Sequence, residues 1–551
     1  MTNVFREIER KYDAAEAAGA LDSVRSMVGV AGVAAVSESA EEILDAVYYD
    51  TADLRLIRAG LTLRRRTGGD DAGWHLKLPA GADTRDEIRL PLAAAESAGG
   101  PGAGPAALAA AGAAPGPAAG TAAWPPLQPA AGPGGGAAGA VPGELAALAR
   151  ARARGAALVP VAAVRTSRGV LRLVDDAART LAEIAADHVS AQLPGDPAEA
   201  SWDELEVELV TGDRELLTEI DARLRAAGAR PAATATKLER ALGERLAAAR
   251  QSAGGVDGGG AAGSPLTPQS PAGDVVLAYV RQQAAAITRL DPLVRRDEPD
   301  AVHQMRVATR RARSVLQAFG EIIEREATRP LRGELKWLAA VLGQARDAEV
   351  LLGRLAGELA AIPAELASGP AAARITGHFT AALEHDRQAA VRELDGQRYL
   401  RLLDDLDVLL ADPPLTPLAA RPASRALARP VRRTARGLRR ALADVPAAPD
   451  KDAAIHEARK AAKRARYAAE AAVPALGRPA RRQAARAKKL QGLLGDHHDS
   501  VVARTVLRAL AGQARAAGED TFTYGVLHQR QACQASQIER KLPKAAARLR
   551  K

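Results

Sequence analysis

Polar and apolar positions alternate through much of the first 250 residues. Glu7, Glu9 and Lys11 are spaced by two, as are Arg64 with Arg66, His75 with Lys77, and Arg85 with Glu87 and Arg89. Glu204, Glu206 and Glu208 follow the same spacing, interleaved with Leu205, Val207 and Leu209. A period of two puts each set on one face of a strand. Helical patterns over Ser39 to Asp45, Asp213 to Ala227 and Leu238 to Arg250 fall between and after these strands, so this part predicts an α+β domain on a mainly antiparallel sheet. From residue 274 the chain changes to Ala/Leu/Arg-rich segments with a period of about 3.6, broken at Pro299, Pro330, Pro363, Pro413, Pro449 and Pro474. That pattern predicts an all-helical bundle.

The helical part contains a duplication. His303-Gln-Met-Arg-Val-Ala-Thr-Arg-Arg-Ala-Arg313 aligns with His456-Glu-Ala-Arg-Lys-Ala-Ala-Lys-Arg-Ala-Arg466, and each is followed by Leu-Gly-x-x-x-Asp, ending at Asp347 and Asp499. The separation from His to Asp is 44 residues in one copy and 43 in the other. Matched order and spacing argue for an internal repeat. Two low-complexity stretches divide the chain. Residues 93–142 are nearly all Ala, Gly and Pro and read as a disordered insertion, and residues 251–273 read as a flexible linker. The expected domains are therefore residues 1–250 and 274–551.

Composition sharpens this division. Residues 1–273 hold 27 basic and 35 acidic side chains, a net of −8, whereas residues 274–551 hold 49 and 31, a net of +18. The overall charge of +10 describes neither part. A basic excess of that size calls for a polyanionic partner. The single cysteine, Cys533, excludes a disulfide framework and a thiolate zinc cage. The charged opening MTNVFREIERKY does not read as a secretory signal, and no segment reads as a membrane span, so a cytoplasmic location is expected.

Charged strand faces can be the wet side of a half-buried sheet. Their number suggests more: Arg64, Arg66, Lys77, Arg85, Arg89, Arg165 and Lys237 make cationic faces, and Glu7, Glu9, Glu204, Glu206 and Glu208 acidic ones. Buried charges are costly unless they have ions to hold. Strands with charged inner faces would enclose a polar tunnel, Arg and Lys holding phosphate oxygens and carboxylates holding Mg²⁺ or Mn²⁺. Phosphoryl transfer is the chemistry such a site suits.

Glu7-Ile-Glu9-Arg-Lys11 resembles the ExExK signature of the CYTH, or triphosphate tunnel metalloenzyme, superfamily. Further elements fall in that family's order: Tyr48-Tyr-Asp-Thr51, the Arg run to Arg66, Trp74-His-Leu-Lys77, Arg85-Asp-Glu-Ile-Arg89, Glu183 with Asp187, Trp202-Asp-Glu-Leu-Glu-Val-Glu208 and Lys237-Leu-Glu-Arg-Ala-Leu242. The resemblance implies an eight-stranded antiparallel tunnel that binds triphosphate or polyphosphate with a divalent metal. It implies catalytic roles for Glu7, Glu9 and Lys11. Glu7, Glu9, Glu204, Glu206 and Glu208 would be metal ligands, and Lys11, Arg64, Arg66, Lys77, Arg85, Arg165 and Lys237 phosphate clamps. The superfamily also includes adenylate cyclases and thiamine triphosphatases, but no base-recognition pocket is evident in the sequence.

In the helical part, a rotation of about 100° per residue places His303, Arg306, Arg310 and Arg313 on one face, and His456, Arg459, Lys463 and Arg466 repeat it. A solvated basic surface is the simplest reading of one such helix; two copies argue for a paired anion cleft. A metal site built from the two histidines with Asp347 and Asp499 is a further reading. Arg425, Arg429, Arg432, Arg436 and Arg439 form another stripe, as do Arg478, Arg482 and Lys489. Sequence-specific nucleic-acid recognition is not expected, because aromatic residues are only 3% of the chain and stand singly.

These segments, with Leu490 to Asp499, resemble the conserved histidine α-helical, or CHAD, domain, across residues 274–551. The family implies two pseudo-symmetric helical bundles, commonly fused behind a CYTH domain, that bind inorganic polyphosphate through their basic faces. Asp347 and Asp499 would then be structural or histidine-orienting partners rather than catalysts. His497 and His498 have no counterparts in the first copy, which carries Ala345 and Arg346 there. The expectation is a metal-dependent phosphoanhydride hydrolase acting on triphosphate or polyphosphate, joined to a polyphosphate-binding module. The alternatives are a non-catalytic polyphosphate-binding or targeting protein and, further off, an adenylate cyclase or thiamine triphosphatase.

Overall fold

The computed structural model describes residues 3–13, 17–81, 83–92, 140–252 and 265–549. The expected insertion lies outside these up to residue 139, as does the expected linker over residues 253–264. The chain separates into two compact units, residues 1–259 and 260–551.

The first unit contains, in order, β1 (Asn3–Asp13), α1 (Ala17–Arg25), β2 (Ala35–Glu38), β3 (Glu42–Asp50), α2 (Arg55–Arg58), β4 (Thr62–Thr67), β5 (Gly73–Pro79) and β6 (Thr84–Pro91). After them come α3 (Gly143–Ala153), β7 (Val159–Val174), β8 (Thr180–Gln192), β9 (Glu199–Leu209), α4 (Arg214–Ala226), β10 (Arg230–Pro231) and α5 (Lys237–Ser252). The strands pair in the order β1-β6-β5-β4-β3-β7-β8-β9, and β9 pairs back on β1. Every pairing is antiparallel, so eight strands close into a barrel without a free edge, with β2 added to β7 and β10 to β1.

The alternation that predicted the strands also turns this barrel inside out. Leu63, Trp74, Leu76 and Ile88 point outward and are covered by Leu145, Leu148 and Ala149 of α3. Leu173, Ile184, Leu205 and Val207 do the same beneath Leu216, Ile220 and Leu224 of α4. The apolar core thus lies between barrel wall and helices, and the charged faces turn to the interior. One expectation fails: Ser39 to Asp45 is no helix, because residues from Glu42 onward form β3 with ladders to both β4 and β7. Two flanking strands outweigh the local helical preference of a Glu/Ile/Leu turn.

The second unit is helical: α6 (Ala272–Arg295), α7 (Ala301–Ala318), α8 (Arg329–Ala360), α9 (Ala371–Asp395), α10 (Gln397–Ala411), α11 (Ala423–Ala426), α12 (Ala428–Asp444), α13 (Lys451–Ala471), α14 (Val473–Ala516) and α15 (Phe522–Ala547). The repeat maps onto matching pairs, α7 with α8 and α13 with α14. Pro330 and Pro474 sit in the first turns of α8 and α14, where the missing N–H is not needed. Pro292 and Pro543 instead lie inside α6 and α15. Leu351, Leu355, Ile375, Phe379, Leu507 and Leu527 pack into one core and Leu438, Ile455, Leu490, Leu494 and Leu542 into another.

Candidate functional site

A cavity of about 540 Å³ fills the barrel. β1 contributes Glu7, Glu9 and Lys11, β4 Arg64 and Arg66, β5 Lys77, β6 Arg85 and Arg89, β9 Glu206 and Glu208, and the start of α5 Lys237. The interior is a lattice of opposed charges. Glu7 pairs with Lys77 at 2.5 Å and Arg89 at 3.4 Å, and Glu9 with Arg85 at 3.5 Å and Lys11 at 3.8 Å. Glu206 meets Lys11, Lys237 at 2.5 Å and Arg168 at 2.6 Å. Burial opposes the charge on Glu206, but Lys11, Lys237 and Arg168 outweigh it and hold that carboxyl well below the usual range.

Two sets of carboxylates differ in what already neutralises them. Asp187, Glu204 and Glu206 bring oxygens within 4.8 Å of one another. The Lys237 ammonium lies at 2.8, 2.8 and 2.5 Å from the three, in place of a cation. The second set is a row across three strands: Glu9 of β1 faces Glu208 of β9, which faces Glu183 of β8. Glu183 has Arg172 at 2.8 Å, but among the described residues no hydrogen bond or ion pair holds the Glu208 carboxylate. Burial first, then repulsion from Glu7 and Glu9, pushes Glu208 up to about 7. Like charges placed opposite one another are unfavourable. An oxygen-only donor set with an uncompensated carboxylate fits a hard divalent cation.

The structure redraws parts of the expected site. Arg165 is not a wall residue: Val164, Thr166, Arg168 and Arg172 of β7 line the cavity, so Arg165 has the opposite parity and pairs with Asp45 at 2.8 Å. Arg168 takes its place. Thr166-Ser-Arg168-Gly-Val170 carries no alternation of polarity that marks the inward parity. Glu204 does not line the cavity either; it is buried between Lys237 and the indole N–H of Trp202, 2.7 Å away. Glu87, noted only as a strand residue, is a buried hub that pairs with Arg89, accepts from His75 at 2.9 Å and lies 3.7 Å from both Arg64 and Lys77. Burial lowers His75 to about 4, so the ring is neutral.

In the second unit a cavity of about 630 Å³ lies between α7, α8, α13 and α14. His303, Arg306, Arg310, Arg459, Lys463 and Arg466 line it, together with Arg346, Lys488 and His498. The repeated Leu-Gly-x-x-x-Asp element explains itself here. The leucines are buried, and the aspartates hold the arginines, Asp347 with Arg306 at 2.8 Å and Asp499 with Arg459 at 3.9 Å. The aspartates therefore orient arginines rather than histidines. A Cβ at Gly343 would stand 3.1–3.3 Å from the Arg306 guanidinium, so the glycine lets that side chain lie across α8.

The duplication is not followed by equal use. Arg313 does not line the cavity, and neither does His456, which packs on His498, ring centroids 4.8 Å apart. The arginine stripe from Arg425 to Arg439 is exposed, as are Arg478, Arg482 and Lys489. Within the cavity, positive charge is in excess. Burial, then Arg310, Arg459 and Arg306, push Lys463 down to about 6; burial, then Arg459, His456 and Lys463, push His498 down to about 4. Among the described residues the buried Nε atoms of Arg306, Arg346 and Arg459 have no hydrogen-bond partner. Cations packed this closely leave the cavity electropositive.

A closed tunnel with charged walls, followed by a helical unit with a duplicated basic face, defines a tunnel metalloenzyme fold joined to a histidine-bearing helical one. The sequence matches the CYTH domain over residues 6–241 and the CHAD domain over residues 278–508. The "Uncharacterized protein Rv2226" of Mycobacterium tuberculosis is 37% identical over 561 residues, which cover 99% of this chain and 96% of that one. The chain belongs to the family in which a CYTH domain precedes a CHAD domain. CYTH domains are metal-dependent, and the family includes triphosphatases and cyclases. Among solved structures, PptA from Streptomyces chartreusis is 24% identical with a TM-score of 0.43, covering 50% of this chain and 99% of that one. The CHAD domain from the plant Ricinus communis is 26% identical with a TM-score of 0.43, covering 51% and 93%. Among the described residues no helix is long and apolar enough to cross a membrane.

Proposed function

We propose that the chain hydrolyses phosphoanhydride bonds of inorganic triphosphate or polyphosphate with Mg²⁺ or Mn²⁺, and that its helical unit binds inorganic polyphosphate. The observation that carries the reading is the row of Glu9, Glu208 and Glu183 beside Glu7, with Glu208 uncompensated, facing a cationic wall inside a closed barrel. Glu7, Glu9 and Glu208 would hold the metal, which supplies charge neutralisation at the phosphoryl oxygens and at water. Arg64, Arg66, Lys77, Arg85, Arg89 and Arg168 bind and align the phosphate chain, and Glu87 holds Arg64, Lys77 and Arg89 in place. The interior, lined by Arg and Lys side chains, suits a chain of phosphates.

The test is incubation of the protein with Mg²⁺ or Mn²⁺ and, separately, tripolyphosphate, long-chain polyphosphate and ATP. Orthophosphate release from an inorganic substrate is expected. No release from any substrate, with polyphosphate still bound, would make the chain a binding protein, and a cyclic nucleotide product would make it a cyclase. For the helical unit, replacing Arg306, Arg310, Arg459 and Lys463 with Ala should weaken polyphosphate binding and flatten its salt dependence. Unchanged binding would return that face to the status of solvated surface.

A further inference from the structure

The geometry points to a transition-metal site, of the Zn²⁺ class, formed by Asp452 of α13, His497 of α14 and Glu539 of α15, separate from both cavities. Nε2 of His497 lies 3.3 Å from a Glu539 oxygen and 3.6 Å from an Asp452 oxygen, and the three candidate ligand atoms are all within 4.8 Å of one another. A tetrahedral ion with bonds of about 2.0–2.2 Å sets its ligand atoms about 3.3–3.6 Å apart. The three side chains thus stand near the edges of a coordination polyhedron.

The central imidazole is only 1% exposed, yet its Nε2 is aimed between two carboxylates. Arg504 holds the other oxygen of Asp452 at 3.1 Å, fixing the carboxylate as an outer partner of a ligand does. Among the described residues no Lys or Arg pairs with Glu539, so of the two carboxylates only Asp452 has a guanidinium. The tunnel offers the contrast: there Lys237 occupies the centre of an acidic trio, and here no ammonium does. One imidazole nitrogen with two carboxylate oxygens suits a borderline ion better than Mg²⁺ or Ca²⁺. Asp452 and Glu539 keep 41% and 32% of their side-chain surface, which leaves an entry path and room for water as a further ligand. His498, one residue or about 100° further along the helix, faces the anion cavity instead. The adjacent histidines therefore serve two different sites, and the ion would staple α13 and α15 to α14.

The test uses the untagged full chain, stripped with chelator and kept in excess Mg²⁺ to occupy oxygen-only carboxylates. Titration with Co²⁺ should give a visible d–d absorption band that saturates at one equivalent and is displaced by Zn²⁺. The band should persist in the Glu7→Gln, Glu9→Gln chain and weaken at least tenfold in apparent affinity in His497→Asn and in Glu539→Gln. Zn²⁺ should raise the melting temperature of the wild-type chain and not that of Glu539→Gln. Absence of the band, or its survival in Glu539→Gln, overturns the site. Because Glu539 is at the surface, that variant decides the matter even if the buried His497→Asn chain does not fold.

Discussion

Glu208 and Lys463 show how short each cavity is of its counter-ion. Burial, then Glu7 and Glu9, raises Glu208 to about 7, and burial, then Arg310, Arg459 and Arg306, lowers Lys463 to about 6. Replacing Glu7 and Glu9 with Gln should therefore reduce phosphate release by on the order of 10²-fold or more, through loss of metal. Polyphosphate binding by the helical unit should not change; unaltered turnover would mean the metal lies elsewhere. For Lys463 the sign is set by linkage. A group near 6 is mainly neutral in the free chain at neutral pH, and a bound polyanion favours the ammonium and raises its pKa. Binding then takes up a proton, and affinity grows as pH falls from about 8 toward 6. Calorimetry in buffers of different ionisation enthalpy reads this uptake, which Lys463→Met should reduce; no uptake in the wild-type chain would refute it. Glu7, Glu9, Lys11 and Lys77 were legible at this scale because charge at strand spacing is local. Which of the five glutamates lacked a cation was not, because Lys237 comes from a different element.

At the scale of elements, the two repeats make a controlled comparison. A Cβ at Gly343 meets Arg306 at 3.1–3.3 Å, whereas at Gly495 the nearest Arg459 atoms stand at 3.9 Å. Gly343→Ala should displace the flexible end of Arg306 from Asp347 and weaken polyphosphate binding. Gly495→Ala should leave binding unchanged. Both should leave the melting temperature level or slightly raised, since Ala favours a helix by roughly 0.5–1 kcal/mol; equal binding by the two variants would remove the glycine's assigned role. A second element depends on Asp50, which accepts from the backbone N–H groups of Thr51, Leu56 and Ile57 at 2.6–2.9 Å and so anchors α2. Asp50→Ala should cost about 1–3 kcal/mol by denaturant unfolding, by leaving buried donors unpaired; a loss under roughly 0.5 kcal/mol would show that water replaces it. Helices over Asp213 to Ala227 and Leu238 to Arg250 were visible in the pattern and appear as α4 and α5. Ser39 to Asp45 was misread because a short apolar-acidic turn does not reveal the strands that will flank it.

Across the whole molecule, the net charges of −8 and +18 fall on units that fold around separate cores. Heating should give two calorimetric transitions; a single transition raised as a whole by polyphosphate would show the units to be coupled. The sequence alone determined the two architectures, the internal repeat and the charged strand and helix faces, because strand and helix periods and charge are carried by neighbouring residues. The tertiary structure decided which parity of β7 faces inward, setting Arg168 in the wall and Arg165 outside it. It also decided that Lys237 neutralises Glu204 while no cation among the described residues pairs with Glu208, that His498 and not His456 lines the helical unit's cavity, and that His497 meets Asp452 and Glu539. Each of these depends on where strands close and helices cross, and on neighbours tens to hundreds of residues away whose charge and burial no local pattern contains.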